Sequence, residues 1–86
     1  MTIAITQHDI DNSIRGSATD CAIARVMTRA LGRSVTVNSF GWAWRYHAYR
    51  RPLSPAVHEW RERFDSHKLV RPISFEVEVA SERIWP

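Results

Sequence analysis

The chain holds one cysteine, three glycines and four prolines in 86 residues, and it has no long hydrophobic run. Cys21 alone cannot close an internal disulfide, so the fold is expected to stand without covalent staples, as suits a reducing compartment. That cysteine and four scattered histidines (His8, His47, His58, His67) match no zinc-ligand spacing, and no metal or other cofactor is expected. No stretch approaches the roughly 18 apolar residues that cross a bilayer, so no membrane partner is expected. "MTIAITQHDID" lacks the basic, apolar and small-residue regions of a secretory leader, and a cytoplasmic location is the expectation. Serine–histidine–aspartate and glycine-rich phosphate motifs are missing too. His58–Glu59 lies on a helical stretch without the second histidine of a zinc protease. Turnover chemistry is not expected.

What is present makes one small domain, residues 1–86, with 80–86 as a loosely held tail. Apolar residues are 44% of the chain and include four tryptophans. A chain of this length buries roughly 60–65% of its unfolded surface, enough for a single core. The net charge of +3 is unevenly placed. Residues 1–41 carry four Arg against three Asp, residues 42–71 carry seven Lys or Arg against three acids, and residues 72–86 carry one Arg against three Glu. A basic middle between a near-neutral and an acidic end points to a localised positive surface and to acidic partners.

Periodicity supplies the elements. "TIAIT" (2–6) alternates with Ile3 and Ile5 on one face, and the following "QHDIDNSIRGSAT" reads as a polar loop in which Asp9 and Asp11 form turns. "DCAIARVMTRALG" (20–32) is a helix with Ile23, Val26, Met27, Ala30 and Leu31 in one stripe. Thr19 or Asp20 is its expected N-cap and Gly32 its left-handed C-cap. Arg25, Arg29 and Arg33 lie off the stripe as a secondary basic line, most simply a solvated face. "SVTVNSF" (34–40) is a second strand, Gly41 breaks it, and "WAWRYHAY" continues as one strand or two short ones. "LSPAVHEWRERFD" (53–65) is a second helix with Ser54 as N-cap, Pro55 at its first position and Val57, Trp60 and Phe64 inward. "ISFEVEV" (73–79) is a final strand. The order βαββαβ predicts an α+β fold of ferredoxin-like kind, an antiparallel sheet with two helices on one face. A variant sheet with extra pairing around residues 42–51 is the rival.

"GWAWRYHAYRR" (41–51) carries the functional reading. In an extended chain Trp42, Trp44 and Tyr46 share one face, and Arg45, His47 and Tyr49 share the other. Arg45, Arg50 and Arg51 with Trp44, Tyr46 and Tyr49 as anchors form the candidate partner-binding site, because Trp, Tyr and Arg dominate interface hot spots. The same patch suits nucleic acid, with a base on Tyr49 and arginines on phosphates, although RNA-recognition modules place rings where "TIAIT" has none. A purely structural role stays open beside both. Cys21, near a helix start, is a candidate nucleophile by position alone.

The succession "ITQ..I", "DCAIARVMTRALG", "V.V" and "LSPAVHEWRERFDSHKLVRPISFEVEV" resembles a group of small phage and prophage proteins of uncharacterised role. The likeness spans most of residues 3–79. Ala18 stands where that group often has a second cysteine, and Ala22 where many have proline, so no paired-cysteine role passes to Cys21. The resemblance implies a phage accessory protein. Such proteins include anti-CRISPR inhibitors of host defence, which act by binding a host protein complex such as a CRISPR effector. Monomer and homodimer, through a sheet edge or Cys21, are both open.

Overall fold

The computed structural model describes residues 1–78, so Val79, Trp85 and the expected 80–86 tail lie outside the described residues. The fold is α+β, with three helices and four short strands among the described residues. Thr2–Ile5 forms β1 with Ile3 and Ile5 buried. Residues 7–19 are not all loop: Gln7–Asp11 is a helix, α1. A capping box makes it. The Thr6 hydroxyl accepts from the Asp9 amide at 3.2 Å, and the Asp9 carboxylate accepts from the Thr6 amide at 2.9 Å. Five residues are too few to show a periodic stripe, which is why the sequence pattern reads as loop.

Asp9 also holds α1 to the next helix, because Arg29 forks onto its carboxylate at 3.1 and 3.4 Å. Burial on its own pushes the Asp9 carboxyl up, but the hydrogen bonds from Arg29 and Thr6 and the guanidinium charge outweigh it. The pKa falls to about 2. The folded carboxyl therefore ionises below the unfolded one, and the stabilisation is complete above about pH 4. It is lost as pH drops through about 2. Urea midpoints measured between about pH 2 and 5 should fall more steeply for wild type than for Asp9→Asn. Parallel acid limbs would contradict this assignment.

Ala22–Leu31 is α2. Its N-cap is Cys21 rather than Thr19 or Asp20, with the thiol accepting from the Ala24 amide at 3.5 Å. Gly32 closes it in the left-handed conformation, φ +71°. Of the expected stripe, Ile23, Val26 and Met27 are buried, Leu31 is half-buried and Ala30 is exposed, and α2 packs against β1, α1 and the next strand. That strand, β2, is Val35–Asn38, and β3 is Gly41–Trp44. Pro55–Asp65 is α3, capped by Ser54 and burying Val57, Trp60 and Phe64. Asp65 accepts from the Gly16 amide at 2.9 Å and from Arg61 at 2.8 Å, which fastens the 12–20 loop onto α3. The last strand, β4, is Ile73–Glu76, shorter than the expected 73–79.

One four-stranded sheet is not what the described residues form. β1 pairs antiparallel with β4, and β2 pairs antiparallel with β3, as two separate ribbons. The remaining edge of β3 is taken by its own downstream chain. Trp42 and Arg51 exchange backbone hydrogen bonds of 2.9 and 2.8 Å, so the extra pairing falls within residues 42–51. The two ribbons and the inward faces of α2 and α3 enclose one cluster of buried apolar side chains.

Candidate functional site

The stretch after β3 is not a continuous strand. It stops at Trp44 because residues 44–47 turn, with the His47 amide donating to the Trp44 carbonyl at 3.0 Å. Tyr46 occupies the third turn position with φ +69°, a region that favours glycine. A side chain there costs roughly 1–2 kcal/mol relative to glycine. Tyr46 therefore leaves the face it shares with Trp42 and Trp44 in an extended chain, and it is 91% exposed.

The tryptophans go the other way. Trp42 and Trp44 meet edge to face at 5.3 Å and are buried, so Trp44 is a core residue and not an exposed anchor. Arg33 lies over its ring, 4.6 Å from the centroid. The Arg33 guanidinium also touches His47 Nε2 at 2.9 Å. Guanidinium nitrogens only donate, so that contact requires a lone pair on Nε2.

The arginines divide by task. Arg50 is half-buried and tied to the ribbon: its guanidinium donates to the Thr36 and Gly41 carbonyls at 3.3 and 3.2 Å and to the Thr36 hydroxyl at 2.9 Å. It crosses the side of the ribbon where Ala43 is fully covered. Arg50 is thus a clamp between chain segments, and the ribbon side expected to be open is closed. Arg51 lies over both Trp42 and Tyr49, at 5.2 and 5.1 Å. Arg45 covers one face of Tyr46 at 5.0 Å. Tyr49 is 70% exposed.

All three arginines of the secondary basic line are exposed, but each also has a partner. Arg25 donates to the Asn12 carbonyl at 2.9 Å, Arg29 pairs with Asp9, and Arg33 turns to Trp44 and His47. What the structure brings together instead is Arg33, Arg45, Tyr46 and His47 at one end of β3, with Tyr49 and Arg51 on the returning chain. Phe40, 79% exposed in the turn before β3, was not singled out by sequence reasoning. A missed sequence signal sits here as well: residues 21–58 contain six arginines and no aspartate or glutamate. Arg33 and Arg45 accordingly have no carboxylate partner among the described residues.

Cys21 is 3% exposed, and burial pushes its thiol pKa up, opposite to an activated nucleophile. A disulfide to a second copy through this atom would require the fold to open. A shallow cleft of about 140 Å³, lined by Trp42, Leu53, Phe75 and Val77 among others, lies between the chain at 51–54 and the end of β4. No described helix is long and apolar enough to cross a membrane.

Compared with protein-family models, curated proteins and solved structures, the chain matches none.

Proposed function

We propose that this protein acts by stoichiometric binding to a host protein complex, as an inhibitor of nucleic-acid-based host defence of the anti-CRISPR kind. The observation that carries binding is the pair of exposed tyrosines, Tyr46 and Tyr49, each covered on one face by an arginine, with Arg33 and Arg45 lacking a carboxylate partner among the described residues. Rings held in place by stacked cations lose little side-chain freedom when a partner covers them. Aromatic and arginine side chains are also the residue types that concentrate binding energy. The host-defence context comes from the resemblance to small phage proteins. Occupancy of a site is sufficient for inhibition, and no turnover is needed.

Direct binding of nucleic acid is the second reading, supported by the six arginines of the acid-free stretch 21–58. The protruding turn favours the first. A ring at a convex tip enters a pocket, whereas sequence-tolerant nucleic-acid binding uses a groove or a flat platform.

Purified CRISPR effector complexes mixed with the tagged chain test the proposal. Wild type should co-purify in fixed stoichiometry, and Arg45→Glu/Tyr46→Ala should weaken capture about tenfold or more. Arg50 is left unchanged because its loss would disturb the ribbon. Failure of wild type to capture any host complex sinks the first reading. Labelled DNA binding that collapses between about 50 and 200 mM salt would establish the second.

A further inference from the structure

Tyr46 raises a separate question, because a bulky ring sits where the turn favours glycine. Nothing in the core needs it, since the side chain is 91% exposed. Among the described residues its ring is covered by Arg45, 5.0 Å from the centroid and also exposed. Folding alone would favour glycine or asparagine there. The turn is nevertheless well pinned: the His47 amide closes it, and the His47 ring meets Arg33, which is itself stacked on buried Trp44. These contacts brace the turn that carries Tyr46 outward.

We infer that Tyr46 is a preformed anchor that enters a carboxylate-lined pocket on a protein partner, with Arg45 and Arg33 pairing with the pocket's acids. This rests on the binding reading above and names the partner's chemistry. A guanidinium stacked on a ring keeps its N–H edge directed outward, the edge that meets a carboxylate in two parallel hydrogen bonds. Three features select the acid-rich pocket: the convex tip, the two cations without carboxylate partners, and the absence of any acid between residues 21 and 58.

The test uses the full chain, amide NMR and two probes, hexaglutamate and oligothymidine. Hexaglutamate should shift the amides of Arg45, Tyr46 and His47 and of Arg33, and Arg45→Gln should remove most of the effect. Tyr46→Gly should raise the urea midpoint of unfolding and yet abolish these shifts, a combination that a merely structural tyrosine cannot produce. Against a captured host complex, Tyr46→Gly should weaken binding about tenfold. Hexaglutamate shifts that survive in Tyr46→Gly, or larger shifts of the same amides with oligothymidine, would overturn the inference. Hexaglutamate shifts without any host capture would instead retire the host-complex reading and keep the anchor.

Discussion

Phe64→Ala should remove about 3–5 kcal/mol of folding stability. Phe64 is fully buried, stacks on Trp60 at 5.4 Å with the planes 10° apart, and lies 4.7 Å beneath the Arg15 guanidinium. Truncation removes the ring's transfer energy and leaves a void between α3 and the 12–20 loop. That loop is itself held to α3 at the next residue, Asp65. At roughly 0.05–0.15 kcal/mol per residue, a chain of this length has a total of about 4–13 kcal/mol. The substitution therefore takes a large part of it. Urea unfolding followed by tryptophan fluorescence measures the loss. Phe40→Ala is the matched control, since its exposed ring should change stability by about 0.5 kcal/mol or less. Similar losses for both would show that Phe64 is not the keystone of the core.

Gly41→Ala should be comparably severe for a different reason. A Cβ at Gly41 would lie 1.9 Å from the Arg51 carbonyl oxygen and 2.9 Å from the Pro52 Cα, and φ is +120°. Both obstacles are backbone, held by the Trp42–Arg51 hydrogen bonds, so they cannot swing aside as a side chain would. Strain of about 1–3 kcal/mol from the backbone angle adds to about 1–3 kcal/mol of overpacking. The total is about 2–6 kcal/mol. Hydrogen exchange should locate the damage at the Trp42 and Arg51 amides. Gly32→Ala, whose added Cβ meets nothing within 4 Å, should lose only the conformational part, about 1–2 kcal/mol. Equal losses at the two glycines would mean that the returning chain does not press on Gly41.

Much of this fold is readable from local pattern. The stripe Ile23–Val26–Met27, the Gly32 cap and the Ser54–Pro55 helix start are short-range features whose physics is complete within one turn of chain. The 7–11 helix was missed because five residues show no stripe and part of its support is Arg29 twenty residues away; the Thr6–Asp9 capping pair was the local signal that marked it. Cys21 as N-cap was hidden by better-known capping residues beside it. Thr19 and Asp20 instead interact with the Ser17 hydroxyl through their amides.

For the candidate site the division is sharper. Composition alone marks 41–51 as rich in arginine and aromatic rings, and alternation sorts those side chains onto two faces. Alternation holds only while the chain stays extended, and the chain turns after Trp44. Past that point the face assignment fails, so Trp44 is buried while Tyr46, two residues on, is at the tip.

The amino-acid order by itself determined the two longer helices, the Gly32 and Ser54 caps, the α+β class and the positive middle of the chain, because those depend on near neighbours and on charge count. Tertiary structure alone decided that the strands pair as two ribbons, that Arg50 is spent on carbonyls, and that Arg33 joins His47 fourteen residues downstream. Each of those depends on which distant segment reaches a hydrogen-bonding edge first. At β3 that segment is the protein's own returning chain at Arg51.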